Sequence, residues 1–169
     1  MNYKDTQKHI RELMRQCAEH DYEVIYLDKS TRESSPSVLI SAPVQIGVPR
    51  LVDCSSCIKY SQCDMVYDVD SGSTALFPVE IILEEQCADH IIPQAYVNRQ
   101  FAHPNIADNG YICVGGDTDD ADWNTSLWLY LIHIMHVIQH PNFDDPLTQS
   151  KPCKDMDEYI KQFPRTQRF

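Results

Sequence analysis

The sequence has no long apolar run, is short of basic residues, and leaves at least one cysteine unpaired. Its most apolar stretch, Leu127 to Ile138, is interrupted by His133 and His136 and is too short to span a bilayer. The N-terminal stretch MNYKDTQKHIRELMRQ is charged throughout and lacks the apolar core of a signal peptide, so a cytoplasmic location is expected. Basic side chains are scarce: 14 Lys and Arg stand against 25 Asp and Glu, giving a formal charge of −11. That deficit argues against a general nucleic-acid binder, which needs a basic footprint to displace counterions from phosphates. It argues equally against electrostatic docking on an anionic membrane. Seven cysteines cannot all pair within one chain, and in a reducing compartment thiols are structural, metal-bound or catalytic. Internal repeats and low-complexity blocks are absent.

What is present suits one domain spanning 1–169. A chain of this length buries roughly 70% of its unfolded surface, so its core needs no staple. Residues 3–19 are predicted to form an amphipathic helix, with Ile10, Leu13, Met14 and Cys17 at helical spacing. The opposite face carries Lys4, Lys8, Arg11 and Arg15, at steps of four, three and four. Residues 22–28 (YEVIYLD) read as a strand and 29–37 (KSTRESSPS) as a polar loop. A β-rich middle follows through VLISAPVQI, RLVDC, CIKY and DMVYDV, with a turn signal at Ser71-Gly72-Ser73 before ALFPVEIILE. A second helix is predicted at about 126–139, capped by Asn124 or Thr125 and closed by the proline of PNFDDPL. A short terminal helix is expected around 155–163. The expected class is α+β, with helices at the two ends of a mostly antiparallel sheet.

Chemistry concentrates around Cys113. Gly115 and Gly116 follow it and Gly110 precedes it by three residues; such small neighbours suit an approachable thiol. Asn105 stands eight residues upstream, after His103-Pro104, and an asparagine amide can donate to the oxyanion formed when sulfur attacks a carbonyl. The bland alternative is a buried thiol acting as a small hydrophobe.

The segment FAHPNIADNGYICV resembles the active-site signature of ubiquitin-conjugating enzymes: a His-Pro-Asn triplet, a glycine-containing turn, then Ile-Cys eight residues after the asparagine. Those positions are His103, Pro104, Asn105, Gly110, Ile112 and Cys113. Trp123 stands where that family has a tryptophan opening the next helix, and PNFDDPL is similar to a stretch that follows it. The clear resemblance covers about 97–147; upstream, FPVEIILEEQCADHIIPQAYV is more loosely similar. It implies an antiparallel sheet of about four strands, flanked by an N-terminal and a central helix. With 22 residues after Leu147, the C-terminal helical region must be shortened.

The resemblance further implies a thioester carrier. Cys113 would accept a ubiquitin-like modifier protein from an activating enzyme and pass it to a lysine or other nucleophile of a target protein. The chain itself would need no cofactor and no metal, ATP being used by the activating enzyme. Asn105 would stabilise the oxyanion and hold the loop, while His103 would brace the turn rather than act as a base. Asp145 would orient and desolvate the incoming lysine, with Asp144 as substitute; the alternative for both is capping and solvation. Lys4, Lys8, Arg11 and Arg15 would dock on the activating enzyme, or else form a solvated helix face. Compact members of this kind occur in bacteria, in anti-phage operons beside ubiquitin-like and activating-enzyme-like genes.

The chain departs from the family in the ten-residue step from Cys113 to Trp123, which is longer than usual and reads VGGDTDDAD. Asp117, Asp119, Asp120 and Asp122 disfavour a nearby thiolate, attract a basic acceptor, or simply solvate the loop. Elsewhere, Cys54, Cys57 and Cys63 offer three zinc ligands, with Cys87, His90 or Asp64 as a possible fourth; unpaired strand cysteines are the plainer reading. His133, His136 and His140 share a helical spacing that suits either a metal or, more plainly, a polar outer face. Trp123, Trp128 and Tyr130 are expected in the core. The competing functional classes are thus a conjugating enzyme, a non-catalytic binding scaffold of the same fold, and a zinc-supported interaction module. A cysteine hydrolase is weaker, for want of a legible base and orienting acid.

Overall fold

The computed structural model describes residues 3–27, 37–50, 66–87, 90–115 and 126–163. The first segment opens with the expected amphipathic helix, α1 (Tyr3–Glu19), whose Ile10, Leu13 and Cys17 are buried at steps of three and four. Met14, expected on the same face, lies at its edge and stays exposed.

Four strands follow: β1 (Val24–Leu27), β2 (Ser37–Arg50), β3 (Val66–Cys87) and β4 (His90–Val97). They form an antiparallel sheet in the order β1-β2-β3-β4, each strand pairing with the next in sequence. One row of partners, Val24, Ile40, Val79 and Val97, crosses the whole sheet. Side chains alternate between the two faces of a strand. Accordingly Val38, Ile40, Ala42 and Val44 of β2 share the buried face with Phe77, Val79, Ile81 and Leu83 of β3 and with Ala95 and Val97 of β4.

Proline cannot donate to a strand ladder, so its positions mark where strands have only one neighbour. Pro43 and Pro49 lie on β2 beyond its pairing with β1, Pro78 lies on β3 just beyond the end of β4, and Pro93 lies on the edge strand β4. The turn expected at Ser71-Gly72-Ser73 does not form. Register passes from Ile46↔Ser73 to Val48↔Asp68, so Val69–Gly72 stand opposite Gly47 as a bulge within β3. Long-range pairing on both sides of the glycine overrides its local turn preference.

Helix α2 (Leu127–Gln139) covers the buried face with Leu127, Tyr130, Leu131, Ile134 and Ile138. The Tyr130 hydroxyl donates to the Pro93 carbonyl at 3.0 Å, fixing the helix to the sheet edge. Its N-cap is Ser126, not Asn124 or Thr125: the Ser126 backbone is extended and its hydroxyl accepts from Leu129 N–H at 3.1 Å. Trp128 is half-buried and stacks on His20 just past the end of α1, with ring centroids 5.1 Å apart. Helix α3 (Met156–Ile160), capped by Asp155, brings Tyr159 and Phe163 against Phe77 and Phe101. The architecture is α+β, and among the described residues no helix is long and apolar enough to cross a membrane.

Candidate functional site

Beyond β4 the chain makes a small hairpin that carries Cys113. Gly110 N–H bonds the Ala107 carbonyl, closing a turn over Asp108 and Asn109, and the Asn109 side chain accepts from Tyr111 N–H. The returning arm pairs with β4: Val97 N–H bonds Gly110 O, and Ile112 N–H bonds Ala95 O, both at 2.9 Å. Gly110 has φ +90°, and a Cβ there would lie 2.5 Å from the Val97 carbonyl oxygen, so only glycine fits. A second seam ties the loop to the chain after α2, through Leu147 N–H to Pro104 O at 2.7 Å and Asp108 N–H to Gln149 O at 2.9 Å.

His103 is fully buried beneath this loop. Its Nδ1 accepts from Asn105 N–H at 3.0 Å, which leaves Nε2–H to donate to the Ile138 carbonyl at 3.3 Å. The Tyr159 hydroxyl donates to the same carbonyl, so two side chains satisfy one of the open carbonyls that end α2. Burial holds the His103 pKa down at about 4, only partly offset by hydrogen bonds to the Ile138 and Val137 carbonyls. The ring is therefore neutral at pH 7 and its nitrogens are engaged, the geometry of a brace. Gln162 clasps the neighbouring backbone, accepting from Ala102 N–H at 2.6 Å and donating to Ala102 O at 2.8 Å.

Asn105 links three segments. Its carbonyl accepts from Cys113 N–H at 2.9 Å. Its side-chain Oδ1 accepts from Asn142 N–H at 2.7 Å, and Nδ2 donates to the Asn142 and Asp145 carbonyls, each at 3.2 Å. The carboxamide thus holds the loop that carries Asp145. Donation to an oxyanion would require exchanging one of those two long bonds. Asp144 and Asp145 are exposed, and the Asp144 N–H is held by the Asn142 side chain at 3.1 Å. Cys113 and Asp145 are therefore each bonded through their backbone to one residue, Asn105.

Cys113 is half-buried and unpaired. On its far side Val114 O accepts from His133 Nε2 at 2.9 Å, a bond from α2. The Tyr111 phenol, half-buried and edge-on to Tyr96, is pushed above its ordinary range by burial first, then by the Cys113 thiol and Tyr96. Of the other described free thiols, burial pushes Cys17 up to about 11 and, ahead of Glu158 and Asp155, raises Cys153. A cleft of about 220 Å³ is lined by Arg99, Phe101, Asp108, Gly110 and Lys151, among others; Cys113 is not in its wall.

The basic stripe on α1 is altered by its own helix. Arg15, itself exposed, bonds Glu12 at 2.6 Å and also pairs with Glu19, while Lys8 and Arg11 are exposed outside that network; the Lys4 side chain lies outside the described residues. The hydrogen bond from Arg15, then that from Gln16, holds Glu12 down at about 2. His133 and His136 of α2 and His140, its C-cap, do not act together, since His133 turns to Val114 while His136 and His140 face each other with ring centroids 4.5 Å apart. Among the described residues no group of three His, Cys, Asp or Glu is placed to hold a metal ion. Cys54, Cys57, Cys63, Asp64, the four aspartates of 117–122 and Trp123 lie outside the described residues, as do the side chains of Cys87 and His90.

The sequence reading overlooked Tyr159, Gln162 and the inward turn of His133. The available signals were the aromatic pair Tyr159 and Phe163, four positions apart in the predicted terminal helix, and the place of His133 three positions after Tyr130, a residue expected in the core. Compared with known protein families and with curated proteins, the chain matches none.

Proposed function

We propose that the chain has the fold of ubiquitin-conjugating enzymes and carries a ubiquitin-like protein as a thioester on Cys113. The observation that carries this reading is the hub at Asn105. The residues of the family-like signature converge there, with Cys113 N–H on its carbonyl and the Asp145 loop on its carboxamide. The half-buried, unpaired thiol and the glycine turn that precedes it support the same reading.

In the first step the Cys113 sulfur attacks the thioester carbonyl of a modifier held by an activating enzyme. A new S–C bond forms, the old one breaks, and the activating enzyme's thiol departs with the proton. In the second step a target amine attacks the Cys113 thioester, the N–C bond forms, and the Cys113 thiol is regenerated. A lysine, with an ordinary pKa of about 10.4, must first lose a proton, which is the task suited to Asp145 at the edge of the site. His103, closed and neutral, supports the loop rather than moving that proton. A cytoplasmic bacterial setting, beside activating-enzyme and modifier genes in an antiviral operon, follows from family analogy.

Incubation with a cognate activating enzyme, its modifier and ATP should yield an adduct that thiol reductants cleave. Cys113→Ser should convert it to a reductant-resistant ester or abolish it. An adduct unchanged in that variant would remove Cys113 from the mechanism. A second reading, a non-catalytic scaffold of the same fold, is favoured by one observation: both Nδ2 hydrogens of Asn105 already bond backbone carbonyls. Failure of the unmodified protein to charge would select it.

A further inference from the structure

We infer that His133 is a positioning residue that fixes the backbone on the C-terminal side of Cys113, an inference that rests on the carrier reading of that thiol. The N-terminal side is held twice, by Ile112 N–H on Ala95 O and by Cys113 N–H on Asn105 O, each at 2.9 Å. On the C-terminal side the anchor is the 2.9 Å bond from His133 Nε2 to Val114 O. One residue further, Gly115 is exposed at φ +91°, and an added Cβ there would meet nothing within 4 Å. Gly115 therefore adds no side-chain packing where the chain leaves the site, and the His133 bond acts together with the partial burial of Val114 against the core.

The donor sits on a rigid element. His133 lies on α2 between the buried Tyr130 and Ile134, and the helix is pinned by Tyr130 to Pro93 and capped by Ser126. A positioning group works best on such a support, because small misplacements of reacting atoms cost large factors in rate. Imidazole suits the task in either protonation state: Nε2–H donates to a carbonyl in the neutral tautomer and in the imidazolium. Glutamine places an amide N–H at a similar reach. Leucine fills comparable space without a donor, and asparagine keeps the polarity on a shorter arm.

Three variants, His133→Gln, His133→Leu and His133→Asn, separate the donor from the packing. Cys113 alkylation by iodoacetamide is followed by mass mapping, amide exchange is measured at Val114 and Gly115, and amine discharge of the charged protein is timed in a single turnover. With the donor gone, discharge should slow by about tenfold, an effect of the size expected from misplaced reacting groups. Exchange at Gly115 should quicken and the alkylation rate should change in His133→Leu, while His133→Gln stays near the wild type in all three readouts. Should His133→Leu fail to fold, His133→Asn takes its place. Wild-type alkylation, exchange and discharge in His133→Leu, or in His133→Asn, whose shorter amide cannot span to Val114 O, where it stands in, would overturn the inference, as would a His133→Gln variant impaired as much as the variant that loses the bond. If the wild type never charges, the carrier reading fails by itself, while alkylation and exchange still decide what His133 does.

Discussion

Around Cys113 the backbone groups of the loop bond to distant parts of the chain, whereas Arg15 of α1 bonds within its own helix, to Glu12 and Glu19. The loop from His103 to Cys113 is tied to β4, to the end of α2 and to the 142–150 segment by bonds spanning tens of residues. On α1, Arg15 reaches only Glu12 and Glu19, three and four positions away. Such exposed intrahelical pairs contribute little to stability. A site that must hold a reacting atom needs over-determined geometry, while a surface that meets a partner needs only charge in the right place. Substitutions in the loop should therefore change stability and chemistry together, and substitutions on α1 should change association alone.

The largest effect is expected at Gly110, with Gly115 as its internal control. The two share nearly the same positive φ, at +90° and +91°, yet an added Cβ would strike Val97 O at Gly110 and nothing at Gly115. A left-handed conformation costs an L side chain roughly 1–2 kcal/mol, so Gly115→Ala should lose about 1 kcal/mol in urea unfolding. Gly110→Ala adds a clash against backbone that is itself hydrogen-bonded, and should lose about 3 kcal/mol. Equal losses would mean that the approach to Val97 relaxes freely and that the hairpin is less fixed than its bonds suggest.

The buried His103 predicts a pH dependence of folding stability. With its pKa at about 4 in the folded protein against 6.5 unfolded, the unfolded chain binds more protons between those values. Stability from this group is thus complete above pH 6.5 and is lost as pH falls toward 4, by about 3 kcal/mol across the window. His140, also held below the ordinary imidazole range by burial and then by His136, contributes in the same direction. His103→Asn, whose side-chain oxygen can still accept from Asn105 N–H, should be less stable at pH 7 but have a shallower acid slope. Unfolding curves for both proteins at pH 7 and pH 4.5 measure the difference; parallel slopes would show that His103 is not the titrating group.

This contrast also separates what a reader of the sequence can and cannot see. The helix over residues 3–19 and the apolar run of α2 follow from periodicity, and their spans agree closely with the structure. The spacing from His103 to Cys113 reveals that these residues belong to one turn-containing loop, because the contacts involved are local. What each side chain bonds is not local. The Asn105 carboxamide reaches residues 37 and 40 positions away, and Gln162 grips a backbone 60 positions back. The same limit explains the misread glycine at 72, where pairing with β2 outweighed turn preference, and the α2 cap, where Ser126 holds the extended backbone that Asn124 or Thr125 was expected to supply. His133 looked like part of a polar stripe because nothing in its own helix indicates that Val114 lies opposite.

The smallest effect on the folded protein is expected on α1, where the comparison is sharpest. Lys8→Glu with Arg11→Glu removes exposed charges outside the buried face of Ile10, Leu13 and Cys17, so the unfolding midpoint should not move measurably. If this face steers an acidic activating enzyme, charging should slow several-fold at low ionic strength. The difference should then shrink as salt shortens the screening length to about 10 Å at 0.1 M. Arg15→Ala is the counterpart: its charge is already shared with Glu12 and Glu19, so its removal should affect charging less than the loss of Lys8 and Arg11. Charging rates measured across a salt series for the three proteins distinguish the cases. A salt-independent loss would point to direct packing of the helix on its partner, and no loss at all would leave Lys8 and Arg11 as solvated surface.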